Sequence, residues 1–76
     1  MKPSCLLRWE HPSKHRYYQL LLSQDLFGDW IITKSWGKVN RAAGQIAYSI
    51  CRDRTEAKLI INRLTRLREK SGYVLQ

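Results

Sequence analysis

The sequence predicts an α+β fold: a small antiparallel sheet of about four strands with one long C-terminal helix packed across it. Two observations carry the prediction. Four runs rich in β-branched, aromatic and leucine residues, Leu6 to Glu10, Tyr17 to Ser23, Trp30 to Trp36 and Ile46 to Cys51, are separated by turn-forming residues. A capping signature, Asp53-Arg54-Thr55-Glu56, then opens a stretch in which Ala57, Ile60, Ile61, Leu64 and Leu67 recur at helical spacing.

The first two strands are joined by His11-Pro12-Ser13-Lys14-His15, whose proline excludes a regular helix, so they form a hairpin. In the second strand, alternation puts Tyr18, Leu20 and Leu22 on one face and Tyr17, Gln19, Leu21 and Ser23 on the other; neither face is purely polar, so both are partly covered. Asp25 and Gly28-Asp29 supply turn chemistry before the third strand, in which Trp30, Ile32, Lys34 and Trp36 share a face and Trp36 stands at the end. A loop from Gly37 to Gly44 leads into the fourth strand, where Ile46, Tyr48 and Ile50 project to one side. In the helix, the Asp53 side chain accepts from the amide of Glu56 and Glu56 reaches back to the amide of Asp53. The apolar stripe from Ala57 to Leu67 lies on the sheet, Leu59, Arg63, Arg66 and Lys70 form the outer face, and Gly72 ends the helix. Tyr73 to Gln76 either adds a short closing strand or frays.

A chain of 76 residues has room for one domain, residues 1–76, and none for a separate catalytic module. Fourteen Lys and Arg against six Asp and Glu give a net charge of +8, and ten of the fourteen cations lie between Lys34 and Lys70, so a polyanion is the expected partner. An anionic membrane competes for that role. No stretch approaches the length of a spanning helix, and the start of the chain lacks a signal-peptide pattern, so the expectation is a cytoplasmic protein with no membrane association. Cys5 and Cys51 lie far apart, unlike a disulfide framework or a zinc site, and are expected to be buried thiols. His11 and His15 are four residues apart, but Pro12 between them argues against a helical metal pair. The six carboxylates are scattered, with no nucleophile and base together. The expectation is no enzyme, no metal and no cofactor.

With the elements placed, the chain resembles the WGR domain, a small module of several poly(ADP-ribose) polymerases and of short bacterial proteins. The resemblance covers roughly 16–73 and rests on Tyr17-Tyr18-Gln19-Leu20, Trp30, Ser35-Trp36-Gly37-Lys38-Val39, Gly44-Gln45, Glu56-Ala57 and Lys70-Ser71-Gly72-Tyr73. Two positions depart from the family pattern. Lys38 stands where Arg is usual, keeping the charge but losing the planar fork that holds a phosphate with two parallel hydrogen bonds. Asn40 stands where a second glycine is usual, and Asn is the residue that best tolerates a left-handed backbone after glycine. The resemblance implies a non-catalytic nucleic-acid module whose motif tryptophan and neighbouring cation contact the sugar-phosphate backbone near a DNA end. ADP-ribosyl transfer belongs to a separate domain of those polymerases.

The expected nucleic-acid-binding residues are Trp36, Gly37, Lys38, Arg41, Lys34, Gln45 and Tyr73. From the residues alone, Trp36 either packs on a sugar or base face or caps the core; the resemblance favours contact. Lys38 and Arg41 flank the motif as phosphate ligands, and Lys34 is balanced between that role and simple solvation. Tyr73 and Gly72 either shape the binding surface or close the core. Trp9 and Trp30 lie within apolar strands and read as core. Arg63, Arg66 and Lys70 read as a solvated face. The expected partner of this monomer is DNA at ends, nicks or junctions, with little sequence specificity. RNA stays open as a second nucleic-acid partner, and the rival reading is a protein-interaction adaptor using the sheet face or the Leu59 face of the helix.

Overall fold

The computed structural model describes residues 2–76, and the side chains from Cys5 onward. The elements are β1 (Lys2–His11), β2 (Arg16–Gln24), β3 (Trp30–Lys38), β4 (Gln45–Cys51), α1 (Arg54–Lys70) and β5 (Val74–Leu75). They build one antiparallel five-stranded sheet in the order β4-β3-β2-β1-β5, with α1 packed across one face. The α+β architecture is the one the sequence predicts, with a fifth strand added at the end of the chain.

The register explains the core. Trp9 stands opposite Tyr18, and Tyr18 opposite Trp36, so three strands bring three aromatic rings into one row. Leu20, Leu22 and Ile32 continue the same face, and Ala57 of α1 meets it. Trp9 and Ile32 are fully buried, Leu20 and Leu22 nearly so. Each such large apolar side chain stabilises the fold by about 1.5–3 kcal/mol relative to leaving it in water. Trp30 is half-buried, with the Arg54 guanidinium 5.9 Å from its ring centroid. Cys51 is buried as expected, whereas Cys5 is only half-buried.

The opposite face carries no helix. Arg8, Gln19 and Ser35 form a hydrogen-bonded row there, Arg8 Nη1 donating to Gln19 at 2.9 Å and Gln19 Nε2 to Ser35 at 3.3 Å. Further along the same face Leu6, Tyr48 and Ile50 are exposed.

Four local features differ from expectation. β1 begins at Lys2 because the strand runs through an irregularity between Pro3 and Cys5, which a proline and a polar residue hide in the sequence. β3 continues through Gly37 and Lys38, so Trp36 is inside the strand and the connection to β4 spans only 39–44. Leu67 is not part of the buried stripe, being 46% exposed; the stripe runs Ala57, Ile61, Leu64 and then Arg68, whose steps of four, three and four stay closer to one side of a 3.6-residue helix. Finally, the Asp53 side chain accepts from the Glu56 amide at 2.8 Å, but Glu56 accepts from the amide of Arg52 at 2.9 Å and not from Asp53. Arg52 Nε donates to the other carboxylate oxygen at 3.0 Å, so the two oxygens grip one residue.

The end of α1 sets up the last strand. Gly72 sits at φ +90°, and its amide donates to Glu69 at 3.2 Å while that of Tyr73 donates to Arg68 at 3.0 Å. A Cβ at this position would also lie 2.9 Å from His11 Nε2. The reversal returns the chain to β1, where Val74 faces Glu10 and Leu75 faces Trp9.

Candidate nucleic-acid interface

The candidate interface lies where the aromatic row meets the C-terminal end of α1. The Trp36 and Tyr18 rings stack with centroids 6.1 Å apart and planes at 21°. The Arg68 guanidinium lies over Tyr18 at 4.5 Å from the ring centroid and near Tyr73 at 5.4 Å. Together with Arg16 and Lys34 these residues line an open concavity of about 290 Å³. A smaller neighbouring hollow of about 130 Å³, lined by Arg16, Tyr17, Trp36, Gly37, Lys38 and Tyr73, extends it over the strand end. Aromatic faces and guanidinium planes side by side suit a sugar or a base packed flat, with cations at its rim.

The electrostatics are one-sided. Arg16 and Lys38 stand directly opposite each other on β2 and β3. Like charges facing one another across strands cost stability unless an anion lies between them. Among the described residues, the ion pairs are Arg8 with Glu10 and Arg52 with Glu56. Asp25 and Asp53 accept backbone amides, at the β2–β3 turn and at the start of α1. Thus Arg16, Lys34, Lys38 and Arg68 are left without a carboxylate partner among the described residues. Arg68 Nε is buried beside the rings with no hydrogen-bond acceptor among the described residues. Burial pushes the Tyr18 phenol above its ordinary value of 10.0, outweighing the opposing pull of Arg68.

Two glycines let the strand end close tightly. A Cβ on Gly37 would lie 3.1 Å from the Gly44 Cα and 3.3 Å from Tyr17, and one on Gly44 would lie 2.5 Å from the Tyr17 hydroxyl and 2.8 Å from the Trp36 carbonyl oxygen. The connection from β3 to β4 therefore lies flat on Tyr17 and the backbone of Trp36 only because both positions lack a side chain. Asn40 takes the left-handed backbone at φ +75°, as its residue type suggests, and the Arg41 amide donates to Lys38 at 3.3 Å to close the turn.

Of the residues singled out from sequence, Trp36, Gly37, Lys38, Lys34 and Tyr73 come together around the concavity. Arg41 lies exposed in the connection and Gln45 opposite Trp36 at the start of β4; neither lines the hollow. Arg16, Tyr18 and Arg68 also line the concavity, although the sequence did not single them out. Arg68 was detectable, because it continues the 57-61-64 helical steps as well as Leu67 continues the apolar composition. Arg16 follows the hairpin loop, and only the β2–β3 register places it opposite Lys38. His11 serves structure: its Nδ1 accepts from the Lys14 amide at 3.2 Å and its ring packs edge-on against Tyr73 at 5.3 Å.

The outer face of α1 carries a broader, shallow surface of about 830 Å³ around Leu59, Arg63, Arg66, Leu67 and Lys70. It is built from one helix alone. No helix of the described residues is long and apolar enough to cross a membrane.

Fold and site together define a small basic α+β module with an aromatic and cationic hollow at a strand end. The family model of the WGR domain matches residues 4–76, and the chain belongs to that family, whose members are nucleic-acid-binding modules and in general non-catalytic. No curated protein and no solved structure matches the chain.

Proposed function

We infer that this chain binds the sugar-phosphate backbone of DNA at ends, nicks or junctions, with little sequence specificity and no catalysis of its own. The observation that carries the reading is the direct opposition of Arg16 and Lys38 beside the Trp36–Tyr18 stack, with no carboxylate to neutralise them. In this reading Trp36 packs on a terminal ribose or base, Lys38, Arg16 and Arg68 hold flanking phosphates, and Lys34 and Tyr73 shape the rim. A terminus suits the hollow because a ring packed against Trp36 must be free of its neighbour on one side, which an intact duplex does not offer. Arg41 and Gln45, outside the hollow, meet the continuing strand. RNA with the same kind of terminus is the neighbouring substrate, to be separated by direct comparison.

The test is Trp36→Ala with Trp36→Phe beside it. Base–aromatic stacking is worth about 1–3 kcal/mol, so Trp36→Ala weakens binding to nicked DNA by about 5- to 150-fold while Trp36→Phe retains most of it. Unchanged affinity in a Trp36→Ala protein that is still folded refutes the assignment. A second reading, a protein-interaction adaptor, is favoured by Leu59 and Leu67, which are 62% and 46% exposed on the outer face of α1. It requires a DNA-independent complex that Leu59→Glu abolishes and Lys38→Glu spares.

A further inference from the structure

β4 forms one edge of the sheet, with nothing paired to its outer side. Edge strands ordinarily carry a charge, a proline, an irregularity or a cover that prevents another strand from adding to them. The other edge is protected in this way. There β5 covers the Trp9–Glu10 end of β1, and the remainder of β1 contains Lys2, Pro3, Arg8 and the irregularity between Pro3 and Cys5. β4 has none of these devices. Its sequence, Gln45-Ile46-Ala47-Tyr48-Ser49-Ile50-Cys51, holds no charge and no proline, and its pairing with β3 runs without a shift. Ile46, Tyr48 and Ile50 all point to the face without a helix and are 60%, 70% and 73% exposed.

The strand is also symmetric about its centre. Ile46 and Ile50 flank Tyr48 at equal distance, and so do the two small residues Ala47 and Ser49. We propose that the chain forms a homodimer by antiparallel pairing of β4 with the β4 of a second copy, about a two-fold axis at Tyr48. In that register Tyr48 faces the partner's Tyr48, Ile46 faces the partner's Ile50, and Ala47 faces the partner's Ser49. An isologous contact needs such self-complementarity, which an arbitrary partner strand does not require. Pairing about an axis normal to the sheet keeps the two helix-free faces on one side. The exposed Ile46–Tyr48–Ile50 stripes then merge on the helix-free side of the new ten-stranded sheet, and the two Trp36 hollows share the opposite, helix-bearing side. The proposal departs from the sequence expectation of a monomer.

The opposing force is the net charge of +8 on each copy, which salt screens. Added salt therefore strengthens this association while weakening any backbone contact to nucleic acid, so the two interactions separate by the sign of their salt dependence.

Sedimentation velocity of the whole chain over a concentration series, in moderate salt and without DNA, tests the proposal. The expected result is a mass rising from 9.0 kDa towards twice that value. Tyr48→Lys, which removes the Tyr48 pair and sets like charges face to face on the axis, raises the dissociation constant about 2- to 30-fold with an unchanged circular dichroism spectrum. Leu59→Glu, on the other side of the molecule, dimerises like the wild type. As an independent measurement, Tyr48→Cys in a Cys5→Ser background forms a disulfide-linked dimer on mild oxidation, and Leu59→Cys in that background does not. A wild-type chain that remains monomeric to about 1 mM, or a dimer that survives Tyr48→Lys, overturns the proposal.

Discussion

Replacing Lys38 by Gln should make the free protein more stable and a poorer binder at the same time. Lys38 and Arg16 occupy directly opposed positions on β3 and β2, where side chains leave the sheet about 4.5–5.5 Å apart. Cross-strand charge pairs are worth about 0.2–1 kcal/mol, and both residues here are exposed, so solvent places the repulsion in the lower part of that range. For a domain of this size, 1 kcal/mol shifts the melting midpoint by about 4–8 °C, so Lys38→Gln raises it by about 1–4 °C. In the complex, the same substitution removes one phosphate contact and lowers the slope of log affinity against log salt by about 0.9. That single contact corresponds to about a 3.5-fold change in affinity between 50 and 200 mM salt. Thermal melts followed by circular dichroism and anisotropy titrations at several salt concentrations read both effects. Loss of stability with an unchanged salt slope would refute the reasoning, because it would make Lys38 a structural residue with no phosphate to hold.

Two further outcomes follow from the local geometry. Gly44→Ala drives a methyl group to 2.5 Å from the Tyr17 hydroxyl and 2.8 Å from the Trp36 carbonyl oxygen, so overpacking destabilises the fold by about 1–3 kcal/mol in chemical denaturation. Adding Tyr17→Phe recovers only part of the loss, since the backbone contact remains. Glu56 is held below its ordinary value of 4.5, first by the Arg52 amide it accepts and then by the Arg52 guanidinium. A carboxyl with a lowered folded-state value contributes stability that is complete above the ordinary value and is lost as pH falls through the lowered one. Glu56→Gln therefore narrows its stability gap to the wild type as melts move from about pH 7 to about pH 3.

The strands and the helix were legible because each obeys a simple period. Ala57, Ile60, Ile61 and Leu64 mark the helix face that packs on the core, and Tyr18, Leu20 and Leu22 mark the core side of β2. What sequence alone left out depends on register or on the dual chemistry of a side chain. Arg68 extends the buried stripe with an aliphatic stem and a planar head over Tyr18, a role that its charge conceals and that Leu67 imitates by composition. Arg16 lies at the edge of the hairpin loop and joins the site only because nine consecutive pairs align β2 with β3. The extension of β1 to Lys2 was hidden by Pro3, whereas β5, two residues long, falls within the Tyr73–Gln76 segment that the sequence left open between a closing strand and a frayed end. The motif itself was legible in kind: Trp36, Gly37 and Lys38 stand together, with Gly37 held by contact with Gly44 and Tyr17 more than by turn geometry.

The proposed role of the hollow at Trp36 is to receive the end of a nucleic-acid strand. Its most direct test is a fluorescence-anisotropy comparison of a sealed hairpin duplex with nicked, recessed-end and single-stranded DNA of matched sequence, with and without a 5′ phosphate, at two salt concentrations. The expected result is tighter binding to the nicked and recessed substrates than to the sealed hairpin, weakening steeply as salt is raised. Equal weak binding to every substrate would contradict it, leaving only the general attraction of a +8 chain for any polyanion.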